Sequence, residues 1–478
     1  MSLSATRLGD LWGDRTALVD ERADERVTYA ELAAHARDAA GRLAALGVES
    51  GDAVAVVSRN RVECLVVLFA ARRLGASFAP VSHRLTPATV TDPVERIDPA
   101  VVLHEVAQRD LVRGFDDTCS FEAFRHRERA DHDPSPPAPG ETLVSLVVDG
   151  EERRVLDLSR RAVERNCATS AAGWGLGRRD RALTLLPLSD ADGLLRFVCP
   201  LLSVGGSVVL LRAFDPADAL AAVERRGVTC ATAGVTEFRE LAGEEHRDDP
   251  DLSSVSWLAT RTRVAPAIRE AFPVPLVRAY GRPAAGVDLL RGTPDEPETA
   301  SRPFPGVELR LDGGQATPES DVGELLARPP DVEVPADASG DGEGVEQWVA
   351  TGDLFRRADG RYERVGRVDE RFEYEGRSVH PRTVEAVLEA APGVLAAGVF
   401  PGDDGAPRAV VVGDVAADED TTADDEVATD AVREFAVERL AAHEVPQAVE
   451  VGGALPRRPT GDLDRAALRE RFGGDKDT

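Results

Sequence analysis

The sequence predicts an α/β protein built from more than one part. A chain of 478 residues is too long for one compact core by the usual size of domains. Hydrophobic residues make up 42% of it against 30% charged residues, so apolar side chains suffice to bury cores. In the first hundred residues, strand-like and helical runs alternate, and this order predicts a parallel α/β layer.

The first clear helix signal lies at Thr28, a residue type that caps helices, with Glu31 three positions later. An Ala- and Leu-rich run continues this helix to about residue 46. A short apolar run at 53–57 predicts a strand, and residues 63–74 predict a helix that ends at Gly75.

Three stretches interrupt this pattern. Residues 127–141 are polar and rich in proline, which predicts an exposed connector before a strand at 143–148. Further strand and helix units follow to about residue 310. Residues 329–346 are acidic and rich in Gly and Pro, and residues 416–425 predict an acidic surface loop.

Acidic residues dominate the charge. The chain has 85 Asp and Glu against 57 Lys and Arg, a formal charge of -28, and its one lysine is Lys476. Such a composition resembles that of proteins from salt-loving microbes, where screening makes self-repulsion tolerable. No stretch offers the basic face that nucleic acids or anionic membranes require, so neither is expected as a partner.

The cysteines and the apolar runs favour a protein of the reducing cytoplasm. Five well-separated cysteines form no C-x-x-C pair, which predicts buried free thiols rather than a zinc site. The first residues after Met1 are polar, and no run of about 18 apolar residues occurs. We therefore expect no membrane insertion and no export.

Short motifs occur in one order along nearly the whole chain. They include Thr28-Tyr29-Ala30-Glu31-Leu32, Leu186-Pro187-Leu188, Phe214-Asp215-Pro216, Tyr280-Gly281, Gly323-Glu324-Leu325, Thr351-Gly352-Asp353, Gly366-Arg367-Val368-Asp369 and Thr460-Gly461. Each is weak alone, but as an ordered set they resemble the AMP-forming acyl-CoA synthetases, also called adenylate-forming enzymes.

This resemblance implies a large N-terminal domain of layered subdomains over residues 1–366. It also implies a small mobile α/β C-terminal domain over 367–478, with a hinge near Asp369. The family joins a carboxylate to AMP using ATP and then transfers the acyl group to coenzyme A. ATP or AMP and coenzyme A are therefore the implied cofactors, and homodimers are common in the family.

The window that matches the family's phosphate loop is poorly suited to phosphates. Such a loop wraps phosphates with the backbone N–H groups of small residues. Within residues 145–154 only Gly150 is a glycine, and Asp149 and Glu151 place negative charge where a polyphosphate would lie. Arg153 and Arg154 could meet a phosphate, but the window favours a β-hairpin with its turn at 148–151.

A second segment that resembles a family motif, at residues 280–284, lacks the motif's metal ligand. In the family's Tyr-Gly-x-Thr-Glu segment the aromatic ring lies near adenine and the glutamate binds Mg²⁺. Here Tyr280 and Gly281 remain, but Pro283 and Ala284 occupy the threonine and glutamate positions. A methyl group cannot replace a carboxylate ligand, so no metal site is predicted. Tyr280 is either a nucleotide contact or a core tyrosine.

Asp353 and Arg367 are the best-preserved candidates for nucleotide binding. The resemblance implies that this aspartate accepts ribose hydroxyls and that this arginine reaches the same sugar. A carboxylate that binds a diol is sound chemistry. The alternative is a structural Asp-Arg pair at a domain boundary, and both readings remain open.

Asp462 occupies the position of the family's catalytic lysine. That lysine bridges the substrate carboxylate and the α-phosphate, and losing one preorganised donor typically costs about 10²–10³ in rate. Reversing the sign of the charge should cost more. Arg457, Arg458 and Arg465 are the only local substitutes.

Three hypotheses follow. The leading one is an acyl-CoA synthetase homologue with a degenerate ATP site that still binds a nucleotide, an acyl-adenylate or coenzyme A, beside an active paralogue partner. The second is an active carboxylate–CoA ligase, for example for an aryl acid such as o-succinylbenzoate, whose arginines contact the phosphates. The third is a non-catalytic interaction protein. The sequence does not reveal the acid substrate.

Overall fold

A computed structural model describes residues 3–132, 138, 140–148, 154–243, 250–261, 264, 266–292, 301–312, 322–328, 348–413, 429–456 and 463–473. Helices and strands alternate along much of the chain, so the predicted α/β class is confirmed.

The α-helices within the described residues are mostly short. They are α1 (Ala5–Trp12), α2 (Tyr29–Ala44), α3 (Val62–Leu74), α4 (Thr91–Ile97), α5 (Phe121–Arg125), α6 (Arg160–Trp174), α7 (Cys199–Val204), α8 (Pro216–Arg226), α9 (Val235–Ala242), α10 (Pro266–Glu270), α11 (Pro381–Leu388), α12 (Thr429–Val437) and α13 (Arg465–Phe472). A 3₁₀ turn covers Val106–Gln108, and a π-helix covers Asp192–Val198.

The strands run in chain order as follows. They are β1 (Thr16–Asp20), β2 (Glu25–Thr28), β3 (Ala53–Val57), β4 (Ser77–Val81), β5 (Val101–His104), β6 (Thr118–Ser120), β7 (Thr142–Val148), β8 (Arg154–Ser159), β9 (Arg181–Thr184), β10 (Ser207–Leu210), β11 (Cys230–Thr232), β12 (Trp257–Thr260), β13 (Leu276–Arg282), β14 (Gly286–Arg291), β15 (Arg302–Pro303), β16 (Glu308–Asp312), β17 (Val322–Arg328), β18 (Val349–Ala358), β19 (Arg361–Arg367), β20 (Phe372–Tyr374), β21 (Arg377–Val379), β22 (Val394–Pro401), β23 (Pro407–Gly413) and β24 (Ala448–Val451).

Close contacts divide the chain into two compact units. The first unit comprises Met1–Arg310, Leu326–Val349 and Gly360–Tyr362, and the second comprises Leu311–Leu325, Ala350–Asp359 and Glu363–Thr478. The domain boundary at residue 366 and the hinge near Asp369 stay predictions.

Two largely parallel sheets form the frame of the first unit. One has the order β15-β14-β13-β12-β11-β9-β10-β1-β2, and the other has the order β6-β5-β3-β4-β7-β8. In the nine-stranded sheet, the strands from β1 through β10, β9, β11 and β12 to β13 pair in parallel. The strands at its two ends pair antiparallel, β2 with β1 at one end and β14 with β13 and β15 at the other. Because parallel strands must be covered on both faces, they carry continuous apolar runs, as Ala53–Val57 does.

Local signals account for several boundaries of these elements. The Thr28 side chain accepts a hydrogen bond from the Glu31 backbone N–H, and the Glu31 carboxylate accepts one from the Thr28 N–H, so the predicted cap of α2 is confirmed. Helix α3 ends at Gly75, whose φ of 76° suits a residue without Cβ. The strand predicted at 53–57 is β3.

A cluster of four aromatic side chains fills part of the first unit's core. Trp174 stacks on Trp257 with ring centroids 4.7 Å apart, and Phe197 and Phe304 pack edge-on against Trp174. The Tyr29 hydroxyl is buried and donates to the carbonyl of Gly206 at 2.7 Å. The cluster places α6, the π-helix and β12 against one another.

The second unit has its own sheet and core. Strands β22, β23 and β24 form a three-stranded sheet, and β20 and β21 form a two-stranded one. Val379, Val384, Val399 and Val411 belong to a separate apolar cluster. A further four-stranded sheet has the order β16-β17-β18-β19. Within the described part of the chain, no helix is both long and apolar enough to span a bilayer.

Candidate functional site

Tyr280 and Gly281 lie together near the carboxyl end of β13, where it turns into β14. The Tyr280 side chain is only 6% exposed. A Cβ atom on Gly281 would lie 2.3 Å from the carbonyl carbon of Val287, so the close approach of the two strands requires glycine here. Sheet packing therefore explains Gly281 without a nucleotide.

The turn between β13 and β14 carries no acidic side chain. Pro283 and Ala284 stand there, at the positions where the resemblance implies a phosphate-binding threonine and a metal-binding glutamate. Among the residues that the structure describes, no group of three or more His, Cys, Asp or Glu side chains could hold a metal ion. The residues of this turn do not fit a magnesium ion.

A cleft opens between α6 and the β13–β14 hairpin. Its empty volume is about 570 Å³, including space open to solvent. Apolar side chains dominate its lining, among them Leu158, Val163, Leu195 and Leu289. Pro283 also lines it, so the cleft borders the turn that lacks the metal ligand.

A buried ion network lies beside this cleft, in which Arg196 joins two carboxylates. Arg196 is 0% exposed; its Nη2 lies 2.9 Å from Asp192 Oδ1, and its Nε lies 3.1 Å from Asp288 Oδ1. Asp288 Oδ2 accepts hydrogen bonds from Ser170 and Trp174. Burial raises the pKa of Asp288, and the charge of Arg196 opposes that rise. Sequence reasoning missed this network.

The window that resembles a phosphate loop joins β7 and β8. The two strands pair antiparallel from Thr142–Ser159 to Val148–Arg154, so the predicted hairpin is confirmed for its strands. Arg154 is exposed on β8. Ser145 is buried, and its hydroxyl donates to Asp157 at 2.6 Å. Gly150 and Arg153 lie outside the described residues.

Ser189 and Asp190 stand after the Pro187-Leu188 segment, where the resemblance implies a histidine, and Asp190 is held by the backbone. Its Oδ1 accepts a hydrogen bond from the Asp192 N–H at 2.8 Å, at the start of the π-helix. Burial raises the pKa of Asp190, and the nearby charge of Asp192 raises it further. Asp190 therefore has a structural role at this helix terminus.

Asp353 and Arg367 lie side by side in the second unit. The backbone N–H of Val368 donates to the Gly352 carbonyl at 3.0 Å, which aligns the two neighbouring residues. Asp353 is 0% exposed, and its Oδ1 accepts bonds from Arg364 Nε at 2.9 Å and Nη2 at 2.6 Å. Arg364 thus contacts Asp353 directly, and the roles expected of Asp353 and Arg367 stay predictions.

The guanidinium of Arg367 binds Asp369 through two parallel bonds of 2.8 Å. The hydrogen bond to Asp369 raises the pKa of Arg367, which burial alone would lower; the charges of Asp369 and Asp353 add to the rise. A ligand would have to compete with the Asp369 carboxylate for this arginine. Arg367 thus binds Asp369, and both ribose binding and a structural pair of Asp353 with Arg367 stay predictions.

Arg465 is a poor substitute for the missing lysine. Its guanidinium donates to Glu385 and to the Val399 carbonyl, and it also forms an ion pair with Glu370 at 3.4 Å. Glu385 is buried, so Arg465 neutralises a charge inside the second unit. Asp462, Arg457 and Arg458 lie outside the described residues.

A second charged cluster surrounds Glu105 in the first unit, at the carboxyl ends of several parallel strands. Arg59 after β3 and Arg212 after β10 contact its carboxylate at 2.6 and 2.7 Å, and Arg61 contacts it at 3.2 Å. Burial alone would raise the pKa of Glu105, but hydrogen bonds from Arg59, Arg212 and Gln108 lower it to about 2. Sequence reasoning did not find this cluster.

The Glu105 cluster should make the first unit less stable in acid. The folded-state pKa of about 2 lies below the ordinary value of 4.5. The stabilisation is thus complete above pH 4.5 and declines as the pH falls towards 2. We expect Glu105→Gln to unfold at a lower urea concentration than the parent protein at pH 7. The difference between the two unfolding midpoints should become smaller as the pH is lowered. A difference between the midpoints that does not change with pH would contradict this prediction.

Comparisons with known proteins add to this geometry. The model of the family described as AMP-binding enzyme matches residues 7–153 and 157–333. A feruloyl-CoA synthase of an Amycolatopsis species is 28% identical over 474 residues, which cover 94% of each chain. The indoleacetate–CoA ligase of Aromatoleum aromaticum is 29% identical, with 96% of this chain and 97% of the relative covered.

Two solved structures share the fold over nearly the full length. The o-succinylbenzoate coenzyme A synthetase of Bacillus subtilis in complex with AMP superposes with a TM-score of 0.81 at 22% identity, covering 100% of this chain and 98% of the other. ATP-bound MatB from Rhodopseudomonas palustris gives a TM-score of 0.84 at 22% identity, with 99% of both chains covered. At such identities the likeness establishes the two-domain fold alone.

Proposed function

This chain belongs to the AMP-binding enzyme family, and from that premise we propose that it is an acyl- or aryl-CoA ligase homologue whose adenylation site is degenerate. Curated relatives along nearly the whole chain act as acid–CoA ligases, which supports the general class. The observation that carries the loss of adenylation is the β13–β14 turn, where Pro283 and Ala284 stand next to an apolar cleft.

Electrostatics accounts for the proposed loss of adenylation. Transfer of an adenylyl group requires cations placed where negative charge develops, and the family supplies a metal ion and a lysine. This chain has Ala284 and Asp462 at those two positions. Arg465, the described arginine nearest to Asp462 in sequence, already neutralises Glu385. The residues present thus do not fit a bound magnesium triphosphate, and we derive no adenylation step through one.

Ligand binding without turnover remains part of the proposal. Tyr280 could contact a flat ring, and Asp353 with Arg367 could meet a sugar if their internal ion pairs opened. Coenzyme A or an acyl-adenylate made by an active paralogue would then be bound by this chain. Isothermal titration with AMP, ATP and coenzyme A tests this part, and the absence of any heat of binding would favour a non-catalytic interaction protein.

We expect the purified protein to release no pyrophosphate above background when it is given ATP, Mg²⁺, coenzyme A and a panel of carboxylic acids in high salt. The loss of even one preorganised donor costs about 10²–10³ in rate, and two positions are changed here. An o-succinylbenzoate–CoA ligase assayed in parallel shows that the conditions permit turnover. Clear turnover by this chain would overturn the proposal.

A working aryl-acid ligase is the second candidate. The 2-succinylbenzoate–CoA ligase of Bacillus licheniformis is 25% identical over 490 residues, and this favours the candidate. Arginines would then have to contact the phosphates in place of the lysine. Under this hypothesis Asp462→Lys should leave the rate unchanged, because the native route avoids position 462.

A further inference from the structure

Asn60 lies between β3 and α3, but its side chain contacts the chain beyond two strands of the other large sheet. We propose that Asn60 is a positioning residue, which holds residues 186–190 and thereby the start of the π-helix in place. The inference does not rest on the proposed function, because it concerns neither ATP nor turnover. Its grounds are the topology of the nine-stranded sheet and the hydrogen bonds of one buried amide.

The chains that leave β9 and β10 diverge to opposite faces of the nine-stranded sheet. The two strands are parallel neighbours, with Leu183 beside Val209. The chain leaves β9 for the π-helix, where Leu194 belongs to one apolar cluster, and it leaves β10 for α8, where Leu220 belongs to another. Val208 and Val209 of β10 also belong to different clusters, so the clusters lie on opposite faces. In open α/β sheets, such a divergence leaves a crevice at the carboxyl ends of the strands.

The amide of Asn60 lies between the two diverging chains. Its Oδ1 accepts a hydrogen bond from the Leu188 N–H at 2.8 Å, and its Nδ2 donates to the Leu186 carbonyl at 3.0 Å. A parallel strand would bind the same two groups, because they flank one residue on one side of an extended chain. The Nδ2 atom also donates to the Leu211 carbonyl at 3.1 Å, beyond β10. One side chain therefore bridges both chains.

Burial makes these hydrogen bonds important. Asn60 is 5% exposed, so water could not easily replace a lost partner, and an unpaired buried amide is costly. The turn that carries Asn60 is itself anchored, because its backbone N–H donates to the Arg212 carbonyl at 3.2 Å. The Arg212 guanidinium in turn contacts Glu105, next to β5 of the six-stranded sheet, at 2.7 Å. The two sheets thus hold this turn from both sides.

The segment that Asn60 holds leads directly into the π-helix. The Asp190 N–H donates to the Pro187 carbonyl at 3.0 Å, and Asp190 Oδ1 accepts from the Asp192 N–H at 2.8 Å. Leu195 of the same helix lines the cleft beside α6. A shift of residues 186–190 would therefore displace the start of the helix that forms one wall of the cleft.

Hydrogen–deuterium exchange at single-residue resolution and pH 7 tests the proposal. In Asn60→Ala, we expect the increase in exchange rate at the Leu188 N–H to exceed the increase for the amides of β12 by about tenfold or more, because the segment opens locally. Equal increases would mean that Asn60 contributes only to global stability, and they would overturn the proposal.

The parent protein supplies a second measurement. The Leu188 N–H lies outside the helices and strands, but its bond to Asn60 should slow its exchange by about 10²-fold or more relative to an unstructured amide. Unprotected exchange at Leu188 would overturn the proposal. This measurement needs no variant, so the proposal can fail even if Asn60→Ala does not fold.

Leu32→Ala is the matched control for a general loss of stability. Leu32 is fully buried on α2 and belongs to the apolar cluster that contains Leu194, and none of the Asn60 hydrogen bonds described above involves it. A cavity at Leu32 destabilises the first unit, so exchange at Leu188 and in β12 should increase by similar factors. A preferential increase at Leu188 in this control as well would show that the segment is simply the weakest part of the unit, and it would overturn the role of Asn60.

Discussion

Replacing Arg196 with methionine is expected to lower the free energy of unfolding by about 3–5 kcal/mol, because it leaves the buried carboxylate of Asp288 without its cation and removes the closer of the two arginines beside Asp192, which keeps Arg261 at 3.4 Å. Arg196 contacts Asp192 at 2.9 Å and Asp288 at 3.1 Å, and it donates to the Val287 carbonyl at 2.7 Å. Methionine fills similar space, so packing changes little. Urea denaturation followed by tryptophan fluorescence measures the effect, since Trp174 bonds to Asp288.

The chain offers a matched control for this substitution. Arg96 pairs with Asp92 at the same i,i+4 spacing and at 2.7 Å, but the two side chains are 48% and 53% exposed. We expect Arg96→Met to change the free energy of unfolding by less than about 0.5 kcal/mol. If both variants lost the same stability, burial of the Arg196 network would not be the cause.

The pH dependence of Arg196→Met supplies a further check. Without the arginine, burial still raises the pKa of Asp288, and the hydrogen bonds from Ser170 and Trp174 oppose that rise without the help of a charge. Protonation of Asp288 then relieves the unpaired charge, so the deficit in stability should shrink as the pH falls. A deficit that grew in acid would show that the carboxylates are not the source of the cost.

Restoring the family's charged residues is expected to raise pyrophosphate release by about 10²-fold or more over the parent protein. The variant combines Pro283→Thr, Ala284→Glu and Asp462→Lys, which returns a metal-binding carboxylate and a cation for the transferring phosphoryl group. The phosphate-loop window is left unchanged, so full activity of the family is not expected. Release of pyrophosphate in the presence of ATP, Mg²⁺ and the acid panel is the measurement.

The control for this variant keeps its shape without its charges. Ala284→Gln and Asp462→Met, combined with Pro283→Thr, carry uncharged side chains; glutamine has the length of glutamate, and methionine is one atom shorter than lysine. This triple variant should remain at background. Equal gains in both triple variants would mean that the charges are irrelevant, and no gain in either would mean that other positions limit adenylation.

Local sequence signals predicted much of the frame. The capping box at Thr28, the strand at 53–57 and the β7–β8 hairpin each depend on residues close together in the chain, and the structure has all three. The two-domain fold followed from the ordered motifs, and the structural comparisons bear it out.

The parts that sequence reasoning missed depend on contacts between distant residues. Glu105 meets Arg59, 46 residues earlier, and Arg212, 107 residues later. The sequence offers Arg465 as a substitute for the lysine, but the Arg465 guanidinium donates to Glu385, 80 positions earlier. The sequence does not reveal whether a charged side chain faces water or pairs with a buried partner. Only the fold distinguishes a solvated charge from a paired one.

The position of the first strand has a consequence for the order of events during synthesis. Strand β1 pairs in parallel with β10, with Leu18 beside Val208, so its neighbour is translated about 190 residues later. Until then the nascent chain carries an apolar edge with no hydrogen-bond partner, and chaperones recognise such edges. Conversely, a chain that began after residue 28 would leave β10 as an open edge, prone to pairing with other chains.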